Sequence, residues 1–354
     1  MSQQVELPTL NARKSIGLVF VGMALYLIYL YHLGLSEILA TLQSVNPYVF
    51  ALGFGLALLG VLFDGLAWKR VAIKFGYQVA VKDVFLMYLS CIFLNNLIPS
   101  GSFSGETARI YFMEKIAAGS SLDKSSATVA ATRMITAIPF IAGTVLGMGY
   151  LILFADVPTW ALAACSAITV VLVGINAIFV GICFSSTWLE GIIVTILHWV
   201  ERGFHVKVDR QICLGIVKEF HRSMTAFTDH RRTIAVSTLW AFAAWLSMNL
   251  VAFVTFQSMG VKVSIGAIFA VYAVMIFLQM LPLVLPGGIG LVDIVMITLF
   301  AAVGVPQPAA VAATILSRLI QLWFLTVAGG LATAYLLKKI ERQDPNLRRR
   351  GTAD

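Results

Sequence analysis

Charged residues are scarce in this sequence. Asp, Glu, Lys and Arg together make up 12% of its 354 residues, whereas hydrophobic residues make up 59%. Soluble globular domains contain about 25% charged and about 45–50% apolar residues. This composition excludes an ordinary soluble domain and indicates an all-α, polytopic membrane protein.

Cysteines and histidines are also few, and their spacing indicates no site. No CxxC or HExxH pattern is present, and the four cysteines lie far apart, at Cys91, Cys165, Cys183 and Cys213. The sequence therefore predicts neither a disulfide framework nor a zinc site. The two proposed repeats described below carry no histidine in their cores that could act as a general base. We expect no metal, no cofactor and no enzymatic activity.

The small number of charges is biased towards positive ones. There are 25 Lys and Arg residues against 17 Asp and Glu residues, a net charge of +8. In a membrane protein such an excess marks cytoplasmic loops, so we expect no nucleic-acid partner. Arg13 and Lys14 precede the first apolar run, which predicts a retained first helix with a cytoplasmic N-terminus.

Long apolar runs identify six predicted full membrane spans. A span needs about 20 residues to cross a core of about 30 Å. The loops rich in Lys and Arg are assigned to the cytoplasm, as are both termini, in a protein of the plasma (inner) membrane. The predicted spans are residues 15–33, 47–68, 125–154, 159–184, 233–257 and 308–337.

Two further apolar stretches, about 83–117 and about 264–304, must each return to the side on which they begin, because the flanking loops lie on that side. We predict a re-entrant hairpin for each. Val84–Pro99 has 16 residues, about 24 Å of helix at about 1.5 Å per residue, too short for a full crossing. Ser264–Leu285 is long enough to span, so a pair of true spans is the alternative for the second stretch.

The stretch 187–229 has apolar residues at helical spacing among basic ones, which predicts amphipathic helices on the cytoplasmic membrane surface. A coupling or partner-docking role is the alternative for this stretch. Gly143 and Gly147 form a GxxxG pattern, interpreted as tight packing within the chain.

An internal repeat connects the two hairpins. Pro99 and Pro286 are each followed by a glycine two residues later and by a carboxylate seven residues later, Glu106 and Asp293 respectively. A long span with one arginine follows each hairpin. Opposite predicted orientations of the hairpins indicate an inverted repeat, the plan of secondary transporters. The predicted units are residues 1–46 (first helix and outer connection), 47–154 (first repeat), 155–232 (span and amphipathic helices), 233–337 (second repeat) and 338–354 (basic tail).

Backbone without helical hydrogen bonds is tolerated at membrane depth only beside protein or a wet cavity, so the hairpin tips should line a cavity. Glycines let backbone N–H groups approach a ligand, and helix N-termini favour anions such as phosphate. The predicted substrate-binding residues are Asn95, Asn96, Ser100, Gly101, Gly105, Glu106, Arg109, Arg133, Gln279, Gly287, Gly288, Gly290, Asp293 and Arg318.

Charges at membrane depth need partners or water. We interpret Arg133 and Arg318 as clamps for a phosphate headgroup, because guanidinium binds phosphate bidentately. Glu106 and Asp293 are interpreted as counter-ions that are released or protonated when substrate moves. The alternative for these residues is snorkelling or static salt bridges. Asp64 is interpreted as an interfacial residue, because Trp68 and two basic residues follow it.

Two motifs carry a resemblance to a known family. The run from Asn95 to Arg109 and the Pro-Gly-Gly-any-Gly element beginning at Pro286 resemble the flippase-like family related to the membrane domain of lysylphosphatidylglycerol synthase. The resemblance implies transbilayer movement of anionic or aminoacylated lipids or of polyprenyl phosphates. Asp293 departs from the glutamate expected there. The aminoacyl transferase domain of the full synthases is not in this sequence, so we expect no lipid aminoacylation.

The leading hypothesis is a transporter that moves an anionic lipid or a polyprenyl-phosphate-type lipid by alternating access between the repeats. The alternative is a non-transporting accessory or regulator of a cell-envelope glycosyltransferase. The sequence specifies neither the oligomeric state nor the lipid.

Overall fold

The chain folds into packed helices. The computed structural model describes residues 40–98, 102–117, 121–154, 158–185, 187–195, 210–280 and 286–343, and these residues form helices with no strand among them. The helices are α1 (Pro47–Lys74), α2 (Val81–Leu97), α3 (Phe103–Ile116), α4 (Leu122–Phe154), α5 (Thr159–Phe184), α6 (187–195), α7 (Arg210–Phe227), α8 (Arg231–Ser258), α9 (Ile265–Met280), α10 (Leu291–Ala302), α11 (Gln307–Arg318) and α12 (Leu325–Gln343).

Five helices of the described part are long and apolar enough to cross a membrane. They are α1, α4, α5, α8 and the continuous helix that α11 and α12 form with the π-helical segment Leu319–Phe324 between them. Each coincides with one of the predicted spans; the remaining predicted span, 15–33, lies outside the described residues. The protein is therefore an all-α, multi-pass membrane protein, as predicted.

The first spans of the two predicted repeats, α1 and α8, pack along each other in opposite directions. The Asn46 N–H, just before α1, donates to the Ser258 carbonyl at the end of α8, over 2.7 Å. Further along, the Phe63 ring stacks on Trp240 with centroids 5.5 Å apart. Antiparallel first spans are what an inverted repeat requires.

The first hairpin, α2 and α3, returns to the place where it began. Tyr77 precedes α2, and its Oη accepts a hydrogen bond from the Ser121 backbone N–H, which follows α3, over 3.3 Å. The same hydroxyl lies 3.2 Å from Ser125 Oγ. At 17 and 14 residues the two arms are shorter than a full crossing of about 20 residues.

The second hairpin, α9 and α10, is also re-entrant. The ring of Phe300, near the end of α10, packs edge-on against Phe256 at the end of α8, with centroids 4.9 Å apart. Because α9 begins a few residues after α8 ends, both arms of this hairpin meet at one end of the bundle. The two helices have 16 and 12 residues, which is shorter than a full crossing of about 20 residues, and this length favours a re-entrant hairpin over two full spans. Since α1 and α8 are antiparallel, the two hairpins begin at opposite ends of the bundle; the exact unit boundaries stay predictions.

Each hairpin packs on the long helix of the other repeat. Helix α12 lies against α2, where Gly329 leaves room for the Leu89 carbonyl and Ser90 Oγ is 2.7 Å from Thr333 Oγ1. Helix α4 lies against α9, where Gly147 leaves room for the backbone at Ala270. The GxxxG pattern is thus a packing surface within the chain, as predicted.

Helix α7 is amphipathic and packs on the bundle by its apolar face. Met224 and Phe227 are buried, and the Phe227 ring stacks on Phe75 at a centroid distance of 5.5 Å. Glu219 and Arg222 face outwards. Of the first predicted amphipathic helix, residues 187–195 are helical and the remainder lies outside the described residues. Its position at the cytoplasmic surface stays a prediction.

Gly147→Ala should destabilise the protein, because an added Cβ would sit 2.5 Å from the Ala270 nitrogen. Overpacking of this kind typically costs about 1–3 kcal/mol. The matched control is Gly149→Ala on the same helix, where an added Cβ meets nothing within 4 Å. Melting temperatures of the purified proteins in detergent measure the difference; equal melting temperatures would contradict the close α4–α9 contact.

Candidate functional site

The tip of the first hairpin is held by an asparagine. Asn95 Oδ1 accepts hydrogen bonds from the Gly105 backbone N–H over 2.7 Å and from Ser104 Oγ over 3.2 Å. A Cβ on Gly105 would collide with the Asn95 side chain and the Cys91 carbonyl. This bond joins the end of α2 to the start of α3, so that the helix N-terminus predicted to bind an anion is engaged by the protein itself.

The neighbouring asparagine joins the first hairpin to the second repeat. Asn96 Nδ2 donates to Thr326 Oγ1 of α12 over 2.8 Å. The Asn96 carbonyl lies next to Gly287 of the second hairpin. The two hairpin tips are therefore adjacent. The predicted site residues Ser100 and Gly101 lie outside the described residues.

The tip of the second hairpin depends on glycines. Gly287, Gly288 and Gly290 have φ angles of 62°, 66° and 89°, in the region that residues with a Cβ rarely adopt. The Gly290 N–H donates to Asp293 Oδ2 over 2.8 Å. The Asp293 carboxylate thus occupies the N-terminus of α10 that the sequence predicts as an anion site.

Each repeat pairs the carboxylate of its hairpin with the arginine of the following span. In the second repeat Arg318 Nε lies 2.7 Å from Asp293 Oδ1, and both side chains are nearly buried, at 7% and 5% exposure. Arg318 Nη2 also donates to the Gly287 carbonyl over 2.6 Å. In the first repeat Arg133 Nη1 lies 3.6 Å from Glu106 Oε1 and is 36% exposed. Both arginines are ion-paired in this conformation, as in the salt-bridge alternative, and the pair in the first repeat is the looser one.

Arg109 is held by aromatic rings. Its guanidinium carbon lies 4.3 Å from the Trp68 ring centroid and 4.2 Å from that of Tyr88. Its Nη1 donates to Glu106 Oε2 over 2.8 Å. Cation–π contacts and an ion pair replace the water that a buried guanidinium loses. Arg109 therefore holds Glu106 in place, and it does not line the cavity described next.

A cavity of about 300 Å³ lies between the two hairpin tips and helices α1 and α8. Six of the predicted site residues line it: Asn95, Asn96, Gln279, Gly287, Gly288 and Arg318. Six others, Gly105, Glu106, Arg109, Arg133, Gly290 and Asp293, lie behind this surface and contact the lining residues or each other. The prediction that the hairpin tips converge on a cavity agrees with this geometry.

Sequence reasoning missed polar residues on the long helices that also line the cavity. Asp64 of α1 faces it, although the sequence had placed this residue at the membrane interface. Asn249 of α8 is buried, and its Oδ1 has no hydrogen-bond partner among the described residues. Gln321 of the π-helical segment also lines the cavity, as do two further polar residues of the hairpins, Ser102 and Tyr272. The sequence signal that could have identified these cavity residues is a single polar residue within a long apolar helix.

The π-helical segment brings Gln321 to the cavity. Gln321 Nε2 donates to the Met248 carbonyl of α8 over 2.8 Å. Short π-helical insertions often accompany functional sites, because they shift the register of the side chains that follow. Here the segment begins directly after Arg318. Within the described ranges no three His, Cys, Asp or Glu side chains come together as a metal site would require.

Taken together, these features define a multi-pass helical membrane protein with a polar cavity between two re-entrant hairpins. A family model described as the lysylphosphatidylglycerol synthase TM region matches residues 15–329. The chain belongs to this family, as the resemblance predicted.

Similar proteins come from archaea. A UPF0104 membrane protein of Pyrococcus horikoshii is 27% identical over 333 residues, which is 89% of this chain and 95% of that protein. One from Methanothermobacter thermautotrophicus is 27% identical, over 90% of this chain and 94% of its own length. One from Methanocaldococcus jannaschii is 26% identical, over 93% and 97% respectively. The similarity thus covers nearly the whole length of each protein.

Asp293→Asn should destabilise the protein strongly. It leaves the nearly buried Arg318 without its counter-ion, and breaking such a pair costs about 3–5 kcal/mol. The double variant Asp293→Asn with Arg318→Gln should recover much of the loss, because no buried charge is then unpaired. The measurement is the melting temperature in detergent.

The matched control for this prediction is Asp83→Asn. Asp83 pairs with Lys339 over 2.6 Å, but the pair is partly exposed, so its loss should cost only about 0–1 kcal/mol. Equal melting temperatures for the Asp83 and Asp293 variants would show that the Asp293–Arg318 pair is not buried from solvent.

Proposed function

We propose that this protein moves an anionic lipid, or a polyprenyl-phosphate-type lipid, across the plasma (inner) membrane by alternating access between its two repeats. The observation that carries the proposal is the cavity between the hairpin tips, which Arg318 lines. A guanidinium at membrane depth is costly unless it is paired or meets a ligand. Membership of a family named for lysylphosphatidylglycerol synthase is in keeping with a lipid substrate.

The size of the cavity limits what enters it. Ligand pockets typically measure about 300–1,000 Å³, and this one measures about 300 Å³. Such a volume is enough for a lipid headgroup. In this proposal the tail stays in the lipid while the headgroup passes through the protein.

The contacts of Arg318 suggest how a headgroup is held. Nε is engaged by Asp293 and Nη2 by the Gly287 carbonyl. Among the described residues Nη1 makes no further hydrogen bond, so it is the donor that a phosphate would meet first. Displacement of Asp293 would then release Nε and the Gly290 N–H for the same anion. The carboxylate acts in this proposal as a stand-in for the substrate when the site is empty.

The arrangement of the hairpins suggests how the two membrane sides alternate. The hairpins begin at opposite ends of the bundle and meet at the cavity. A rocking motion of one repeat against the other would open the cavity to one side at a time. The basic loops and tail support a cytoplasmic position for both termini.

The test is a flipping assay in proteoliposomes with a headgroup-labelled anionic lipid and a membrane-impermeant quencher. The variant Asp293→Asn with Arg318→Gln lacks the clamp without leaving an unpaired charge. Loss of a charge-assisted hydrogen bond costs about 1.5–3 kcal/mol, so we expect the transport rate to fall roughly 10- to 100-fold. The control is Arg222→Gln, which changes an outward-facing arginine of α7 and should leave the rate unchanged.

Two outcomes would overturn the proposal. Transport that persists in the double variant would remove Arg318 as the clamp. No lipid movement by the purified wild-type protein, together with loss of its cellular role when the outer face of α7 is changed, would favour the accessory alternative.

A further inference from the structure

Asp64 is the cavity-lining carboxylate with no ion pair. It lies near the middle of α1, is partly exposed and faces the cavity. In the part of the chain that the structure describes, no Lys or Arg nitrogen lies within 4 Å of it. The carboxylates of Glu106 and Asp293, by contrast, are each paired with arginine. A lone ionised carboxylate at membrane depth is costly, so Asp64 needs a cation or a proton.

Charges from the neighbouring helices surround Asp64. Arg109 and Glu106 on α3 and Arg133 on α4 lie within electrostatic range. Tyr88 and Cys91 of α2 are the other titratable groups that interact with it. Across the cavity stand Tyr272 of α9 and Arg318 of α11, and on its own helix Lys69 and Arg70 lie further towards the end.

Four charged side chains of α1, α3 and α4 form one electrostatic cluster on the first-repeat side of the cavity. Asp64 and Glu106 supply two negative charges, and Arg109 and Arg133 supply two positive ones. The cluster is neutral while both acids are ionised. A proton on Asp64 leaves it with one net positive charge. That charge falls mainly on Arg133, because its contact with Glu106 is 3.6 Å long whereas the contact from Arg109 is 2.8 Å.

We propose that Asp64 is the proton-binding residue that couples lipid movement to protons, so that one proton enters the cavity with each singly charged headgroup. This inference rests on the proposed function and names its coupling ion. Without substrate and with Asp64 ionised, the cluster is neutral. With a proton on Asp64 and an anion in the cavity, the total is neutral again. A protein that holds only the proton or only the anion carries a net charge, and burying a net charge at membrane depth is disfavoured.

The same charge count explains why an anion binds beside an acid. An ionised Asp64 would repel the headgroup across the small cavity. Protonation removes this repulsion and leaves the cluster with a net positive charge, which attracts the headgroup from behind the cavity surface. Proton binding and anion binding therefore strengthen each other, as linkage requires.

The experiment measures the affinity of the purified full chain in detergent for fluorescent phosphatidylglycerol as a function of pH. Its phosphodiester keeps a single negative charge, so the probe itself does not titrate. For the wild type we expect the dissociation constant to rise by up to about tenfold per pH unit once Asp64 loses its proton, the slope for one linked proton. Asp64→Asn should bind as tightly as the wild type does at acidic pH, with no pH dependence.

Asp83→Asn is the control, because it removes a carboxylate that pairs with Lys339 away from the cavity. This variant should keep the wild-type slope. An Asp64→Asn protein that keeps the slope, or a wild type that binds without pH dependence, overturns the inference alone. Absence of phosphatidylglycerol binding by the wild type at every pH overturns the proposed function for this lipid and the coupling with it.

A second measurement needs no variant. At a pH where the wild-type dissociation constant rises about tenfold per pH unit, addition of phosphatidylglycerol to the protein in weakly buffered detergent should cause uptake of about one proton per bound lipid, read with a pH-indicator dye. Binding without proton uptake overturns the inference even if Asp64→Asn does not fold.

Discussion

The interruption of two helices at membrane depth is the constraint on which this structure depends. Backbone groups and charges cannot be left unsatisfied in lipid, where no water replaces a missing hydrogen bond. The chain meets this demand with its own side chains: Asn95 accepts a hydrogen bond from the Gly105 amide beyond one tip, and Asp293 accepts one from the Gly290 amide at the other. Each interrupted helix also packs on the long helix of the opposite repeat. The cavity exists because these contacts hold the two tips side by side.

The two repeats use the same plan with different charge. Both pair a hairpin carboxylate with an arginine on the next span, but Arg318 is nearly buried and lines the cavity, whereas Arg133 is partly exposed and lies behind it. The first repeat adds two further charges, Asp64, which has no ion pair among the described residues, and Arg109, which pairs with Glu106. In the proposed transport cycle the second repeat supplies the anion clamp, and the first repeat supplies the charge balance that a proton shifts.

Much of this could be predicted from the sequence, and the reason lies in periodicity and length. The long apolar runs, the short hairpin arms and the spacing from Pro286 to Asp293 follow from the dimensions of the bilayer and from the conformational freedom of glycine. The cost of buried charge predicted that Arg318 and Asp293 need partners, with a static salt bridge as the alternative to a headgroup clamp; the structure shows that they pair with each other. The role of Asp64 could not be predicted, because its position four residues before Trp68 fits a membrane interface equally well. The packing of α1 against α8 and α2 determines that this side chain faces the cavity.

The sequence by itself determined the class of protein, the spans, the two interruptions and the residues that needed partners. These features depend on local composition, on helix length and on the free-energy cost of a charge in lipid. The tertiary structure decided which groups became partners. Asn96 bonds to Thr326, and Arg109 lies between the rings of Trp68 and Tyr88. The backbone amides at the two hairpin tips bond to side chains of the protein. These choices depend on which helices cross at close distance. Such crossings join residues far apart in the chain and leave no periodic trace in the sequence.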